Sequence, residues 1–585
     1  MSYTWQVLRV NLGTGSVAKE PLNKDWAEKY FGGRGLGAKY LYEEIEGGTD
    51  PLSPANKLML VTGPFTGTMV PCSGKLAIVT KSPATGLILD CSIGGSFAAY
   101  LKFAGYDMLI VEGQAEKPVY LAIDDDKVEI RDAGHLWGKG IFDTESWLRA
   151  EHKPEAGVLS IGPAGENLVA FACIGSEFYR QAGRGGVGSV MGSKRLKAIV
   201  CSGSKDVTVP DMPRLLEMTG KVVKDDVLTE DNLWAHSEGT PMIVDMSNSS
   251  GILPTRNFQD GVFEGAARIN SNRIQELRPQ KKSCISCALG CGNYVTLGDG
   301  RVEGPEYETL ALAGANCGID DLGAIVKLNS ECDDLGMDTI SVGNVIGFAM
   351  EMTEKGLKDF GVRFGDVGTY LKIPRLIAYR EGIGKDLSLG TKALARMYGG
   401  AEFAVQVKGL ELPGYDPRGS WSMGLAYATA SRGGCHMSAW AVANEAFGDL
   451  DPFTIEGKAQ YVAEAQDMNA IKFSLILCDF WAASMDTMSE LLSCVLGREV
   501  SSAELNKAGE RIWTLLRLFN VREGSKGAED SLPGRFFNEA LRSGNPAGKS
   551  LPREQFEAML REYYKLRGWD DDGVPTKQKV AELEI

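Results

Sequence analysis

Histidine is scarce in this chain of 585 residues, and no apolar run is long enough to cross a membrane. Only four histidines occur, at positions 135, 152, 236 and 436, so imidazole chemistry has few candidates. The N-terminus lacks the basic and then apolar pattern of a secretory signal, so we expect a cytoplasmic protein without a membrane partner. Its 62 basic residues against 77 acidic ones give a net charge of −15, which argues against nucleic acid as the main partner.

Cysteine is plentiful, but only one group is spaced for a metal. Most of the twelve cysteines stand alone in apolar contexts, as reduced core thiols do; examples are Cys72, Cys91, Cys173 and Cys201. Cys284, Cys287 and Cys291 instead follow the spacing C-x2-C-x3-C, which lets three thiolates converge on one soft centre. The spacing favours a [4Fe–4S] cluster, with structural zinc or uncomplexed thiols as alternatives. A fourth ligand must come from elsewhere.

Residues 1–208 predict a β-rich domain, because short apolar runs alternate with glycine-rich turns. The predicted strands cover residues 5–11, 57–63, 75–81, 107–112, 119–124, 157–162 and 196–202. Glycine-rich loops are expected between them at 32–37, 62–75, 82–86, 91–96 and 182–194. Since glycine permits close approach of the backbone, these loops suit a large phosphorylated cofactor, while tight turns of a barrel or sandwich remain the alternative.

The run at 183–188 satisfies GxGxxG, the pattern of a dinucleotide-binding turn. Such a turn joins a strand to a helix. No strand is predicted before this run and no helix after it, so the sequence does not favour a dinucleotide site here.

Helical periodicity replaces the strand pattern after a linker at 206–213. Helices are predicted at 213–226, 307–315, 321–335, 342–355, 370–381, 391–397, 458–465, 485–496, 503–519 and 553–566. A segment at 410–419, rich in proline and glycine, indicates a further boundary. We therefore predict an α+β protein with a β-rich N-terminal domain, 1–208, and two largely α-helical domains, 209–410 and 411–585.

Three groups of polar residues are candidates for chemistry. His436 lies in a loop of small residues that leaves its ring accessible, although a single histidine is more often structural. Glu306 and Glu308 begin a predicted helix, where the dipole stabilises negative charge; simple decoration of the helix N-terminus is the alternative. Asp333 and Asp338 flank the negative end of another helix, which is unfavourable unless they bind something.

Several motifs in order resemble one known family, the tungsten-containing aldehyde:ferredoxin oxidoreductases. They are FGGRGLGAKYL, TGPFTGT, AGRGGVGSVMGSKRLKAI, the three cysteines, GPEYE, the DxxGxD of Asp333–Asp338, GYDPRG, SRGGCH and the terminal RGWDDDGVPT. The resemblance runs nearly end to end. It implies that residues 1–208 form a pterin-cofactor domain, with two pterin dithiolenes holding tungsten beside one [4Fe–4S] cluster.

The resemblance also implies roles for individual residues. Cys478, rather than Cys494, completes the cluster site with Cys284, Cys287 and Cys291. Glu308 and His436 correspond to the catalytic pair that faces the metal. The implied cofactor contacts are Lys75, Ser92, Gly94, Gly95, Arg184, Gly185, Asp333 and Asp338, with Mg²⁺ bridging the pterin phosphates as a further candidate.

The chain departs from the family pattern at three places. Lys75 stands where many relatives have arginine, and a lysine offers a point charge in place of a planar fork. The second pterin motif of the family, Asp-x-x-Gly-Leu-Cys, reads FSLILC at 473–478, so one pterin must be held by other groups or its contact is lost. No histidine lies between 237 and 435, so we expect the bridging E-x-x-H metal of archaeal dimers to be absent.

The implied reaction converts a small aldehyde and water to a carboxylic acid, two electrons and protons. Glu308 would orient or deprotonate the water or the aldehyde hydrate, and His436 would hydrogen-bond the substrate oxygen. Electrons would leave singly to ferredoxin or a ferredoxin-like subunit, which could feed a flavin or NAD subunit, and we expect an oligomer. The alternatives are the tungsten subunit of an aromatic acyl-CoA reductase, with Cys317 as a possible metal ligand, and a non-catalytic iron–sulfur electron-transfer subunit.

Overall fold

The computed structural model describes residues 2–585 and has the α+β architecture that the sequence predicts. Two six-stranded sheets lie before residue 203. After residue 211 the described chain is mostly helical, with one three-stranded and one two-stranded sheet. The β-rich part therefore comes first and the helical part follows it.

The first sheet is built from the six strands nearest the N-terminus. They are β1 (Gln6–Asn11), β2 (Ser16–Pro21), β3 (Leu58–Val61), β4 (Leu76–Lys81), β5 (Ile88–Ile93) and β6 (Met108–Glu112). Their order is β2-β1-β6-β3-β4-β5. Only β1 and β6 are parallel neighbours. Strand β5 is thus an edge strand.

The second sheet is built from the next six strands. They are β7 (Val119–Asp124), β8 (Lys127–Asp132), β9 (Gly157–Ser160), β10 (Ile174–Ser176), β11 (Arg180–Ala182) and β12 (Leu196–Ser202). Their order is β11-β10-β9-β12-β7-β8. Only β7 and β12 are parallel. All seven predicted strands are present, whereas the short or polar strands β2, β5, β8, β10 and β11 were not predicted.

The first sheet contributes to two hydrophobic cores, because alternate side chains of a strand point to opposite faces. Leu76 and Ile78 of β4 pack in a core shared with Leu121 and other residues of the second sheet. Ala77, the residue between them, belongs to the core shared with the helical part of the chain. One face of the first sheet therefore meets the second sheet, and the other meets the helices.

Six helices lie between these strands. They are α1 (Lys24–Tyr30), α2 (Gly33–Glu44), α3 (Phe97–Phe103), α4 (Ile141–Glu151), α5 (Pro163–Glu166) and α6 (Val187–Ser193). The GGRGLG run at 32–37 begins α2, so the prediction of a loop there is wrong. A Cβ on Gly33 would lie 2.1 Å from Phe473 O, and one on Gly37 would lie 2.6 Å from Val79 Cγ2. These glycines permit close packing within the chain.

The surroundings of the GxGxxG run also differ from the prediction, since β11 precedes it and α6 follows it. However, β11 has three residues and is antiparallel to its neighbour. A Cβ on Gly186 would lie 2.3 Å from Ala170 O, and one on Gly188 would lie 2.3 Å from Cys173 O. Main-chain carbonyls occupy the space that a dinucleotide pyrophosphate takes in the βαβ fold.

Eleven further helices and four short strands precede residue 408. The helices are α7 (Met212–Val222), α8 (Leu233–Ser237), α9 (Ile243–Ser250), α10 (Ser271–Glu276), α11 (Tyr307–Thr309), α12 (Leu322–Leu335), α13 (Thr339–Glu354), α14 (Val367–Tyr370), α15 (Ile373–Tyr379), α16 (Gly384–Leu387) and α17 (Thr391–Tyr398). The strands are β13 (Gln280–Lys282), β14 (Gly292–Leu297), β15 (Gly300–Glu303) and β16 (Gln406–Val407). A π-helical turn, Leu310–Gly314, directly follows α11.

One strand, which pairs with β16, and seven helices complete the chain. They are β17 (Leu410–Glu411), α18 (Trp421–Thr429), α19 (Lys458–Ser474), α20 (Met485–Leu496), α21 (Ser502–Arg522), α22 (Gly534–Asn538), α23 (Arg553–Arg567) and α24 (Lys577–Leu583). Each predicted helix coincides with an observed one, although α19 continues well past its predicted end. Its extension brings Phe473 and Ser474 against α2.

Across residues 2–585, no single helix combines the length and apolar character that crossing a bilayer requires. One pair, Tyr307–Cys317 and Leu322–Leu335, meets the criterion of length and composition together but is bent by 119°.

Candidate active site

Glu308 and His436, the predicted catalytic pair, lie close together although they come from different segments. Glu308 is on α11, directly after the N-cap residue Glu306 and Tyr307, and His436 is in the loop after α18. Glu308 Oε1 lies 3.8 Å from His436 Nε2, and the two side chains are 17% and 15% exposed, respectively. The tertiary structure thus brings a carboxyl group and an imidazole to one partly accessible place.

Each of these side chains keeps one polar atom unpaired within residues 2–585. The atoms are Glu308 Oε1 and His436 Nδ1. The other carboxyl oxygen, Glu308 Oε2, accepts a hydrogen bond from Gly414 N at 2.8 Å. Since buried polar atoms are normally paired, one unpaired atom on each of two neighbouring side chains indicates a site for a bound group.

The environment moves the pKa values of both residues. Burial raises the pKa of Glu308 to about 7, although the Gly414 N–H and the charge of Arg184 favour its ionised form. Burial lowers the pKa of His436 to about 3, and the charges of Arg184 and Arg432 act in the same direction. At neutral pH His436 is therefore uncharged, while Glu308 is poised to exchange a proton.

Arg184, a predicted cofactor contact, holds the loop that carries His436. Its Nη1 donates to Gly434 O at 2.9 Å, and its Nη2 donates to Glu411 O. Its Nε lies 3.5 Å from Asp338 Oδ2. Because Arg184 is buried and follows strand β11, it ties the N-terminal domain to the loop that carries His436.

Asp338 caps the N-terminus of helix α13. This role explains a carboxylate at position 338 even without a bound cofactor. Its side chain accepts hydrogen bonds from Ile340 N at 3.1 Å and from Ser341 N at 3.3 Å. The Ser341 hydroxyl donates a third bond at 2.8 Å. A carboxylate at this position satisfies orphan N–H groups of the first turn.

Asp333 forms a buried carboxyl pair with Glu303, a residue that the sequence analysis did not single out. Asp333 also accepts hydrogen bonds from Asn329 at 3.1 Å and from Gln181 at 3.3 Å. Burial raises the pKa of Asp333 to about 7 and the pKa of Glu303 well above its usual range. Burial therefore favours the neutral forms of both carboxyl groups, which relieves the unfavourable position of Asp333 at the end of α12.

The thiols proposed for the cluster come from two segments. Cys284, Cys287 and Cys291 lie between β13 and β14, and Cys478 follows α19. All four are free thiols of intermediate burial. Within residues 2–585, no three His, Cys, Asp or Glu side chains converge as the ligands of a single ion do. Cys494 is elsewhere, inside α20, with its Sγ 3.8 Å from Met218 Sδ.

Lys75, a predicted cofactor contact, lies beside these thiols. The charge of Cys478 raises the pKa of Lys75, and the charges of Cys284 and Cys291 add to the effect. Gly94 is also close, because a Cβ at that position would lie 2.6 Å from Cys284 Sγ. Two predicted cofactor contacts thus lie against the cysteine loop.

Cys72 is a free, buried core thiol, as predicted, and it also contacts both segments that carry the clustered thiols. Its N–H donates to Ser286 O at 2.7 Å, and its carbonyl accepts from Cys478 N at 2.9 Å. A hydrogen bond from the Cys72 thiol lowers the pKa of Cys287 to about 6. Cys72 therefore lies between the two thiol-bearing segments. Its sequence neighbours carry no metal-binding spacing, so the sequence held no signal for this contact.

Arg180 is a second residue that the sequence analysis missed. It is the first residue of β11, and its buried Nε and Nη2 have no hydrogen-bond partner within the described chain. A Cβ on Gly292, next to Cys291, would lie 3.0 Å from Arg180 Nη2. An unpaired guanidinium beside a thiol loop suits an anionic group.

The remaining predicted contacts approach protein side chains. Gly95 has a φ of +107°, and a Cβ there would lie 2.9 Å from the Glu177 carboxyl group. Gly185 has a φ of +81°, and a Cβ there would lie 2.6 Å from Leu89 Cδ1. Ser92 is on β5, three residues before Gly95.

Two family profiles together match nearly the whole chain. The profile of the aldehyde ferredoxin oxidoreductase N-terminal domain matches residues 7–203, and that of domains 2 and 3 of the same proteins matches residues 215–585. The chain belongs to the aldehyde ferredoxin oxidoreductase family. It is therefore an oxidoreductase.

Relatives within this family extend the match to the full length. The chain is 42% identical to the tungsten-containing aldehyde ferredoxin oxidoreductase of Pyrococcus furiosus, over 99% of this chain and 98% of that protein. It is 30% identical to the WOR-like subunit of an aliphatic sulfonate oxidoreductase from the same organism, over 100% of this chain and 97% of that protein.

A solved structure of related fold is the active site complex BamBC of benzoyl coenzyme A reductase with 1,5 dienoyl-CoA. It superposes with a TM-score of 0.86 at 26% identity, covering 100% of this chain and 97% of that one. Cys317, the candidate metal ligand of the reductase alternative, instead donates from its buried thiol to Leu312 O and Gly343 O, each at 3.4 Å. The chain is more similar to the aldehyde ferredoxin oxidoreductases, at 42% identity, than to this reductase, at 26%. The comparison therefore does not favour the acyl-CoA reductase alternative.

Proposed function

We propose that this member of the aldehyde ferredoxin oxidoreductase family oxidises aldehydes to carboxylic acids at a tungsten bis-pterin centre. One observation carries the proposal. The side chains of Glu308 and His436 are adjacent, and within residues 2–585 each has one unpaired polar atom, Oε1 and Nδ1, respectively. The names of the relatives at 42% identity support the same reaction class. The balanced reaction is aldehyde plus water giving acid, two protons and two electrons.

The residues of the site fit the proposed cofactor. Unpaired donors of Arg180 suit an anionic group, and the unpaired atoms of Glu308 and His436 are placed for a substrate next to it. Lys75 would add a positive charge between the cofactor and the thiols. When bound, the tungsten pterin supplies the acceptor for the two electrons of the oxidation.

Glu308 would act as the general base that accepts a proton from the attacking water or from the aldehyde hydrate. Its pKa of about 7 means that a substantial fraction is ionised at neutral pH and can accept this proton at Oε1. A general base with a pKa near the working pH is the most effective. Its other oxygen remains fixed by Gly414 N, so the free oxygen has a defined direction.

His436 would position the substrate as a neutral hydrogen-bonding group. Because its pKa is about 3, the imidazole carries one N–H and one acceptor nitrogen throughout the physiological range. An N–H directed at the aldehyde oxygen stabilises the negative charge that develops there. Arg184 and Gly434 hold the loop in place for this contact.

The electrons would leave one at a time through a [4Fe–4S] cluster held by Cys284, Cys287, Cys291 and Cys478. Four thiols from two segments are the donor set that such clusters use. Lys75 and Arg180 would offset part of the negative charge of a cluster with four thiolates. The acceptor would be ferredoxin or a separate iron–sulfur subunit, which could pass electrons to a flavin or NAD subunit.

Anaerobically purified protein provides the test. Tungsten, iron and pterin are measured per chain, and aldehyde-dependent reduction of a viologen dye is followed with short aliphatic and aromatic aldehydes. We expect tungsten near one per chain and iron near four, together with aldehyde oxidation. Iron without tungsten, or full metal content without turnover of any aldehyde, would contradict the proposed function and favour an electron-transfer subunit.

A further inference from the structure

The C-terminal end of helix α19 lacks the carboxylate that the resemblance led us to expect beside the second pterin. Phe473 stands at that position and is buried. Its ring lies under the guanidinium of Arg34, at 4.6 Å from ring centroid to Arg34 Cζ. A cationic side chain therefore borders the position where the carboxylate is missing.

Arg34 pairs with a carboxylate from a different part of the chain, that of Asp90. Its Nε donates to Asp90 Oδ2 at 2.7 Å, and both side chains are buried, with 1% and 4% of their surface exposed, respectively. Arg34 belongs to α2 and Asp90 to β5. The ion pair thus joins the first sheet to the helix that packs against the end of α19.

This ion pair is incompletely satisfied. Within residues 2–585, Arg34 Nη1 and Asp90 Oδ1 have no hydrogen-bond partner. A buried charged atom without a partner costs more than a formed hydrogen bond stabilises. A pair that served packing alone would be expected to bond through both forks of the guanidinium and the carboxylate.

The direction of Asp90 follows from its place in β5. Leu89 and Cys91 point into the core between the two sheets. Asp90 alternates with them and shares the opposite face with Ser92, because side chains two residues apart on a strand lie on one side. This is the face that meets the helical part of the chain. Ser92 is a predicted cofactor contact, so Asp90 lies on the cofactor side of the sheet.

A second arginine fixes the backbone at this point. Arg432, in the loop that carries His436, donates from Nη1 to Asp90 O at 2.6 Å. Its Nε and Nη2 donate to Cys435 Sγ at 3.1 and 3.0 Å. The Arg432 hydrogen bond therefore connects the backbone at Asp90 to the loop that carries His436.

We propose that Asp90 supplies the carboxylate that holds the second pterin, in place of the residue at position 473. Its free Oδ1 would accept hydrogen bonds from the amino and ring N–H donors at the pyrimidine edge of a pterin. Arg34 would hold the Asp90 carboxylate in place through its Nε, and its free Nη1 would donate to an oxygen of the same group. This inference rests on the proposed function, since it needs a bis-pterin cofactor.

The test uses Asp90→Asn in the anaerobically purified holoenzyme. Pterin is released, oxidised to its fluorescent form and counted per chain, and tungsten is measured alongside. We expect pterin content to fall by about half or more, since a hydrogen bond to a charged group is lost. The rise in Tm between protein from tungsten-free and from tungsten-supplied cultures should shrink as well, because a ligand that binds less tightly stabilises less.

Asp107→Asn is the matched control. Asp107 directly precedes β6 of the same sheet and forms a buried ion pair with Lys102, with 3% and 0% of the side chains exposed, respectively. We expect this variant to lose stability with and without cofactor while its pterin content stays at the wild-type level. Equal pterin loss in both variants would mean that Asp90 acts only through general stability, and the inference would fall.

A second variant keeps the test decisive if Asp90→Asn folds poorly. Phe473→Asp in an Asp90→Ala background returns a carboxylate to the opposite wall beside Arg34, and pterin content should recover compared with Asp90→Ala alone. Absence of recovery would overturn the inference. Wild-type levels of pterin in Asp90→Asn would also overturn it, with the proposed function intact. A wild-type protein without pterin would refute both.

Discussion

Glu308 Oε1 and His436 Nε2 lie 3.8 Å apart, which is beyond hydrogen-bond distance. Burial moves their pKa values toward the neutral forms, to about 7 and about 3, so the contact is not a salt bridge. The two side chains are neighbours, and each keeps one unpaired polar atom available to a bound group.

Removal of either functional group should abolish most of the turnover. In Glu308→Gln and His436→Asn we expect kcat to fall by roughly a hundredfold or more, because an acid/base or charge-stabilising group is lost. Tungsten and iron content should stay near normal. The double variant should be far less impaired than the product of the single effects, since both groups serve one transition state.

The control for these variants is His152→Asn, a change in the N-terminal domain where His152 bonds to Tyr120 at 3.2 Å. It should leave aldehyde oxidation unchanged. Normal turnover in both Glu308→Gln and His436→Asn, with metals present, would remove this pair from the mechanism.

Activity should depend on pH through Glu308. We expect kcat/KM to rise with pH and to level off above about 7, where Glu308 is ionised. Glu308→Gln should remove this limb from its residual activity. His436 should add no second limb between pH 5 and 9, since its pKa is far lower. A profile unchanged by Glu308→Gln would contradict the assignment of the base.

The raised pKa of Glu308 also makes the free energy of unfolding depend on pH. Between its usual pKa of 4.5 and its folded pKa of about 7, Glu308 holds more protons in the folded state than in the unfolded state. Its contribution to the free energy of unfolding therefore falls as pH rises through this window. In chemical denaturation series, Glu308→Gln should remove that fall, so its stability should decline less than that of the wild type from pH 4.5 to 7.

Three cysteine variants should separate the cluster ligand from its neighbours. Cys478→Ser should lose the visible absorbance of the cluster, most of the iron and considerable stability, since a cluster joins distant segments. Cys494→Ser, inside α20, should retain both. Cys72→Ser should retain iron near the wild-type level, because Cys72 contacts Cys287 without being needed as a ligand. Loss of iron in Cys72→Ser with retention in Cys478→Ser would reverse the assignment.

Lys75 should tune the proposed cluster. Replacing it with methionine removes a positive charge beside three thiols, so the reduced cluster becomes harder to form. We expect the reduction potential to fall by roughly tens of millivolts. Lys75→Arg should keep the potential near that of the wild type. Lys81→Met is the control, since Lys81 ends β4, the strand that Lys75 directly precedes, but pairs with Glu523. Titrations monitored by electron paramagnetic resonance distinguish these outcomes.

The isolated chain should not reduce NAD. A strand and a helix do flank the GxGxxG run, but main-chain carbonyls of Ala170 and Cys173 fill the space beside Gly186 and Gly188. Viologen dyes should substitute for the natural electron carrier. Aldehyde-dependent NAD reduction by the purified chain, or saturable NAD binding in calorimetry, would disprove this prediction.

The strands and helices were largely predictable from the sequence because their signals are local. Short continuous apolar runs marked β4 and β6, and a period near 3.6 marked α12 and α21. Strand β5 was not predicted, because Asp90 and Cys91 interrupt its apolar pattern. The GGRGLG run was mistaken for a loop because glycine disfavours helices in isolation, whereas the close contact with Phe473 requires it.

The candidate site was only partly predictable, and the reason is distance along the chain. The spacing of Cys284, Cys287 and Cys291 is local, and the motifs around Glu308 and His436 supported a resemblance. Which residues meet these groups was decided by the tertiary structure. The contacts of Cys72 with Cys287 and of Arg34 with Asp90 join segments far apart in sequence, and no periodicity or spacing records such contacts. Burial of those segments together also determines the pKa values of Glu308 and His436, because desolvation depends on every segment that excludes water from them.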